Sequence, residues 1–360
     1  MIPMTGDNSS IILAGDIGGT NTNLALIERK KDSFTILYRE RYKTQKVDTF
    51  DEPVVDFIGR CRGKGLPRPS LSCVSGAGPV HNGVCELTNA GWDISEAVLE
   101  RILEAPSWVI NDFTALSYSL PLLEIENPEK VMVLRQPKSL PSSAAGTLLR
   151  GVIGPGTGLG VGFLIQRKGR YIACSSEGGH SDFSPFDHRT AGLKTFLELR
   201  LGRPIDAEEV LSGRGIANIF TFLVSGDSGG TEKDAGPELS DTVRRIEQLP
   251  YDERPAEIAR HAPVEPLCRE TMECFLRIYA RFAGSLSTVL LPYGGLYLAG
   301  GIAAKNRYLF EDTERFFRYF HRTAVEGTRE ILEQIPVYLV LDYDTSLLGA
   351  AHAAVILAKE

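Results

Sequence analysis

"GDIGGTNTNLAL" (15–26) sits between two apolar runs and carries an acid, two consecutive glycines and two threonines. A tight hairpin needs only a pair such as Asn-Gly or Asp-Gly at its tip. This one holds more polar chemistry than its geometry requires. The flanking runs, "IILAGD" and "TNLALIE", read as strands, and "FTILYRERYKT" (34–44) continues as a third. Further along, "VIGPGTGLGVGFLI" (152–165) repeats the arrangement, with Thr157 at the place of Thr20. Two like hairpins about one domain apart suggest two related halves, although Gly-rich hairpins also recur by chance.

The rest of the chain alternates. Helical spacing marks 50–63 and 94–104, and strands are expected at 70–78 and 107–112. Helices follow at 190–201, 205–222, around 264–289 and over 309–334. The stretch between 127 and 146 reads as loop, as does the polar run 225–241. The order gives an α/β chain with mixed sheets and helices packed on them.

Composition bounds the function. The chain has 360 residues, 43% apolar and 24% charged, with a formal net charge of −7. That length suggests about two domains. The acidic balance lacks the basic footprint of a nucleic-acid binder. Six cysteines lie without a CxxC pair or zinc-ligand spacing, so reduced thiols are expected. No run of about 18 apolar residues suggests a membrane span. "MIPMTGDNSS" does not read as a secretory signal, and the expected location is the cytoplasm.

Three Gly-rich turns stand at strand ends: 18–22, 154–160 and 300–301. There is no GxxxxGK[ST] loop and no GxGxxG. Consecutive backbone N–H groups in such turns make an anion-binding concavity. The candidates are Gly18, Gly19, Thr20 and Asn21, then Gly156, Thr157 and Gly158, then Gly300 and Gly301. Asp16 is a candidate for Mg²⁺, held through water, because that ion keeps part of its hydration shell. Any single hairpin is more readily a plain turn; the set of three favours phosphate.

In "INDFTAL" (110–116), Asp112 ends a strand and precedes a helix. It is a helix cap or a general base that takes a proton from an alcohol attacking a γ-phosphate. Asn111 could bond the same alcohol. "SSEGGHSDFSP" (175–185) brings Glu177 and His180 together across two glycines, a pairing suited to a polyol. "AEEVLSGRGI" (207–216) offers Glu208 and Glu209 at the start of a helix, either as ligands or as a solvated face.

Taken in order, "AGDIGGTNTNLAL", "VSGAGPV", "LTNAGWDIS", "INDFTALSYSL", "IGPGTGLGVGFL", "SEGGHSDFSP", "EEVLSGRGI", "GGLYLAGGI" and "SLLGAAHAA" resemble the motif series of bacterial-type glucokinases, over about residues 12–354. The resemblance implies the hexokinase, actin and chaperone-ATPase architecture: two actin-like ATPase (ribonuclease H-like) domains with an active site in the interdomain cleft. It places 1–120 plus 345–360 in a small domain and 121–344 in a large one. It makes the two hairpins phosphate loops for MgATP, Asp112 the catalytic base, and Asn111, Asp112, Glu177, His180 and Glu208 contacts to D-glucose. Gly300 and Gly301 match the turn near the adenosine. It further implies phosphorylation of glucose to glucose 6-phosphate, the first step of glycolysis, by a homodimer. Asn23 stands where the family often has Arg. The stretch 175–267 holds no cysteine, which disfavours the related group with a Cys-rich zinc loop. The competing readings are a kinase for mannose, fructose or glucosamine, and a non-catalytic sugar-responsive regulator.

Overall fold

The computed structural model describes residues 9–87, 90–139, 141, 146–226, 239–323, 325–342 and 345–359. In chain order the elements begin with β1 (Ser9–Ile17), β2 (Asn21–Lys30), β3 (Ser33–Lys43), α1 (Asp51–Gly63) and β4 (Leu71–Gly76). Three short strands follow, β5 (Val80–His81), β6 (Val84–Cys85) and β7 (Ile94–Ser95), then α2 (Glu96–Leu103), β8 (Ser107–Asn111) and α3 (Asp112–Ser119). Next come β9 (Val131–Arg135), β10 (Thr147–Pro155), β11 (Leu159–Arg167), β12 (Arg170–Ser176), α4 (His188–Leu201) and α5 (Gly213–Val224). The chain continues through α6 (Asp241–Gln248), α7 (Arg254–His261), α8 (Pro266–Leu290), β13 (Leu296–Leu298) and α9 (Gly301–Lys305). It ends with α10 (Thr313–Phe320), α11 (Glu326–Glu333), β14 (Val337–Val340) and α12 (Thr345–Leu357).

Contacts divide the chain into two units. The first holds 1–124, 162–175 and 342–360; the second holds 125–161 and 176–341. The sequence boundaries differ mainly at 162–175, which groups with the first unit because Leu164, Tyr171 and Ala173 pack into the apolar cluster around α12.

The first sheet runs β3-β2-β1-β4-β8. Strand alternation decides its two faces. On β1, Leu13 and Ile17 face a cluster that includes Val54, Phe57 and Cys61 of α1 and Leu99 and Leu103 of α2. Ile12 and Ala14 face the opposite cluster, with Ala115 and Tyr118 of α3 and the alanines of α12. By the same alternation Asp16 belongs to the α3 side. A Cβ on Gly349 of α12 would sit 1.9 Å from the carbonyl oxygen of Ala115, so glycine permits the close seam between α12 and α3.

The second sheet runs β12-β11-β10-β13-β14-β9. Its first five strands repeat the order of the first sheet: a three-stranded antiparallel run, then two more strands. β4 lies parallel to β1 and β8 to β4; β13 lies parallel to β10 and β14 to β13. The two hairpins are therefore equivalent points of two similar sheets. The buried stripe of α8, including Cys268, Met272, Phe275 and Tyr279, covers the second sheet, and the Tyr279 hydroxyl donates to the Ile153 carbonyl at 3.0 Å.

Three expectations change. The stretch read as loop contains β9, which pairs antiparallel with β14 at the sheet edge. The helix expected over 205–222 is a 3-10 turn at Ala207–Glu209 followed by α5, because Ser212 caps a fresh start by accepting from Gly215 N–H at 3.1 Å. The helix expected over 309–334 is two helices, α10 and α11, after a 3-10 turn at Arg307–Phe310. Most of the polar run 225–241, namely 227–238, lies outside the described residues. Among the described residues no helix is long and apolar enough to cross a membrane, and all six cysteines are free, five of them buried.

Candidate active site

The first unit gathers Asp16, Gly18, Gly19, Thr20 and Asn21 at the β1–β2 turn. The turn closes by Gly18 N–H to the Asn21 carbonyl at 2.9 Å. It is pinned from β3's end by Thr44, whose hydroxyl donates to the Gly18 carbonyl at 2.8 Å and whose N–H donates to the Thr20 carbonyl at 3.1 Å. Thr20 is exposed and Asp16 half-buried. Asn23, paired across the strands with Asp16, reaches its carboxylate at 3.5 Å and accepts from Arg41 Nε at 2.9 Å. Asn23 thus relays a cation on β3 toward Asp16. Burial pushes the Asp16 pKa up, against the hydrogen bonds from Asn23 and Ser75 and the charge of Arg41.

Asp112 is the first residue of α3. The cap is Asn111, whose side-chain oxygen accepts from Phe113 N–H at 2.9 Å and from Thr114 N–H at 3.4 Å. Its amide nitrogen donates to the Gly78 carbonyl at 3.2 Å. The cap role considered for Asp112 therefore falls to Asn111, which leaves one amide proton for another partner. Asp112 accepts from Phe113 N–H at 2.9 Å. Its pKa is raised to about 6, first by burial and then by the charge of Asp16, against the hydrogen bonds at the helix start. A carboxylate with that pKa is mostly ionised at neutral pH yet basic enough to accept a proton from an alcohol under attack. Burial outweighs the hydrogen bonds that Asp16 accepts from Asn23 and Ser75, so its carboxylate fits a hydrated Mg²⁺ held through water.

The second unit brings four predicted motifs together. The β10–β11 turn closes by Gly156 N–H to the Gly158 carbonyl at 2.7 Å, with Thr157 exposed at its tip. The Gly156 carbonyl accepts from Gly213 N–H at 2.8 Å, joining the turn to the start of α5. Glu208 clamps the same turn. One of its oxygens accepts from Leu159 N–H at 3.0 Å and the other from Arg214 at 2.9 Å. A Cβ on Gly158 would stand 2.5 Å from a Glu208 oxygen. Glu209 is buried beneath and is bonded by Arg203, Arg214 and Asn218 rather than forming a solvated face. Gly300 has φ +88, and a Cβ there would lie 2.5 Å from the Pro155 carbonyl oxygen, so the turn into α9 abuts the end of β10. Gly301 begins α9.

Glu177 and His180 flank a 3-10 turn, Gly178–His180, and both are exposed. Between them Gly179 is buried against the Leu159 carbonyl, where a Cβ would come within 1.9 Å. The turn thus rests on the foot of the second hairpin. His180 Nδ1 lies 2.9 Å from Asp206 Oδ2, and this hydrogen bond, opposed by burial and helped by the negative charges of Glu208, Asp206 and Glu177, raises the His180 pKa. Asp206 also caps the 3-10 turn at Glu209 N–H, 3.2 Å. The sequence reading missed Asp206; the signal available was its place as the acid just before "AEEV". Neutral His180 with Nδ1–H on Asp206 presents Nε2 as an acceptor.

The chain is similar to known proteins over nearly its whole length. The glucokinase family model matches residues 13–356. A glucokinase of Nostoc punctiforme is 33% identical over 355 residues, covering 96% of this chain and 99% of its own length. Among solved structures, a glucokinase from an Antarctic psychrotroph superposes with a TM-score of 0.76 at 26% identity, covering 96% of this chain and 98% of its own. A ROK-family glucokinase of Streptomyces griseus shares the fold at 19% identity, with a TM-score of 0.59 and coverage of 96% and 99%. The family match over 13–356 and relatives of 30% identity or more along nearly the whole chain show that the chain belongs to the glucokinase family.

Proposed function

We propose that the chain transfers the γ-phosphoryl group of ATP to the 6-hydroxyl of D-glucose, giving glucose 6-phosphate and ADP. The observation that carries this reading is Asp112, fixed at the first turn of α3 with its pKa raised to about 6 by burial and by Asp16. The O6 proton passes to the Asp112 carboxylate, O6 bonds to the γ-phosphorus, and the bond from that phosphorus to the bridging oxygen of ADP breaks. Asn111, Glu177, His180 and Glu208 hold the sugar hydroxyls, Glu208 through lone pairs beyond its bonds to Leu159 and Arg214. The exposed N–H groups and hydroxyls of 18–21 and 156–158 take the phosphates, and Gly300 and Gly301 border the adenosine. Asp16 would hold, through water, a magnesium ion carried with the nucleotide, and that ion would supply charge neutralisation at the phosphates. The neighbour from Streptomyces griseus was solved with glucose and AMPPNP, which supports this pair of substrates. The active form is a homodimer in the cytoplasm.

Asp112→Ala tests the reading. A general base contributes about 10²–10⁴ in rate, so turnover falls by that factor while glucose binding, measured by calorimetry, weakens by a much smaller one. Turnover near that of the unmodified chain removes Asp112 from the role.

A further inference from the structure

The first unit contains a cavity, of about 1320 Å³, that holds none of the residues assigned to phosphoryl transfer. Its floor is α12. Leu348, His352, Val355, Ile356 and Lys359 fall on one helical face of that element and line it. The β2–β3 turn, the β11–β12 turn and the chain after α3 form its sides. Phe34 and Tyr171 stand edge-on to the His352 ring, with centroids 5.7 and 5.6 Å away.

The rim is basic. Arg29, Lys31, Arg170 and Lys359 all line the cavity. Among the described residues none of these four side chains makes an ion pair or hydrogen bond. Asp32 and Glu124 are the acids on the same lining. In a chain of net charge −7, four cations against two acids around an aromatic floor are a local reversal of sign, and a concave site with low-dielectric walls strengthens such a field. His352 adds a directed polar group. Its Nδ1 lies 2.7 Å from the Tyr118 carbonyl oxygen, so Nδ1–H donates there, and Nε2 has no protein partner among the described residues. Burial holds the ring's pKa down, with smaller contributions in the same direction from Arg29 and Lys359.

We propose that this cavity is a second ligand site, for a small organic phosphate with a planar apolar body. The phosphate takes the Arg29 and Arg170 guanidiniums, whose planar forks suit phosphate oxygens, with Lys31 and Lys359 supplying further charge. The body lies along Phe34, Tyr171 and the apolar face of α12. The volume exceeds the usual ligand pocket of about 300–1,000 Å³, which leaves room for a ring system beside the phosphate. The site's wall is the α12–α3 seam, closed by Gly349 against Ala115 and by His352 against Tyr118.

The test uses the full chain with glucose and AMPPNP both saturating, and 1-naphthyl phosphate as the probe, titrated by calorimetry. One equivalent is expected to bind with a dissociation constant below about 1 mM, a modest affinity of roughly 4 kcal/mol, and uncharged 1-naphthol is expected to bind more weakly. Arg170→Glu with Lys359→Glu, both exposed in the structure, is expected to weaken the probe about tenfold or more and leave glucose-dependent ADP formation unchanged. Arg29→Gln provides a second, milder variant with the same direction. Absence of binding, equal affinity for naphthol, affinity unchanged in both variants, or loss of the probe when AMPPNP is added would each overturn the proposal.

Discussion

The two units treat their candidate acids in opposite ways. In the first unit, Asp16 and Asp112 are half-buried, burial outweighs the hydrogen bonds each accepts, the charge of Asp16 acts on Asp112, and both are held above the usual carboxylate range. In the second, Glu208, Glu209 and Asp206 are each bonded to a cation, a backbone N–H or a histidine. The difference separates two tasks. A group that must accept a proton is kept under-solvated, because full pairing would lower its basicity. A group that must hold a hydroxyl in one place is fixed by partners, because a loose acceptor loses the orientation that discriminates sugars.

Predictions follow that contrast, from the largest effect to the smallest. Asp112→Asn is expected to lower turnover by about 10²–10⁴ while raising the melting temperature at neutral pH. The sign follows from linkage. A carboxyl with a raised native pKa contributes stability below its unfolded pKa of about 3.9 and loses it as pH rises through about 6. At pH 7.5 the native chain bears the cost of a charged, half-buried Asp112, and the neutral amide removes it. A scan should show a gain of roughly a few degrees at pH 7.5 that disappears near pH 4. Asp112→Asn no more stable than the unmodified chain at pH 7.5 would break the account of that half-site.

His180→Ala is expected to raise the KM for glucose by about 10- to 100-fold, the size of one or two hydrogen bonds to a charged or polarised group, with kcat reduced less. Equal losses in both constants would place His180 with the reacting groups instead. In the unmodified chain, kcat should fall tenfold per unit below about pH 6 as Asp112 is protonated; a profile flat to pH 5 would contradict the raised pKa. Asp206→Asn should raise the KM for glucose by about tenfold or less, since His180 keeps its place but loses the carboxylate that fixes its tautomer. A KM unchanged by Asp206→Asn would reduce that residue to a helix cap.

Much of this was legible in the sequence because hairpin chemistry is local. "GDIGGTNTNLAL" and "GPGTGLGVGFL" carry their turn residues, hydroxyls and flanking strands in one stretch. Asp112 was legible as a candidate, yet its pKa was not, since that depends on Asp16, nearly a hundred residues earlier. Asp206 was hidden because an acid before a helical pattern has an ordinary explanation as a cap, and it is one; only the folded chain adds His180. β9 escaped because five residues beside prolines read as loop until β14 supplies the ladder. The helix read over 205–222 failed at Ser212, where side-chain capping outweighed continuous apolar spacing. The shared strand order of the two sheets lay beyond any local signal, since it is a property of pairing and not of composition.

The most direct test of the central claim is ADP formation by the purified chain with MgATP, measured with and without millimolar glucose. The account predicts ADP release that depends on glucose and is matched mole for mole by glucose 6-phosphate. ADP release independent of glucose, or none at all, would contradict it.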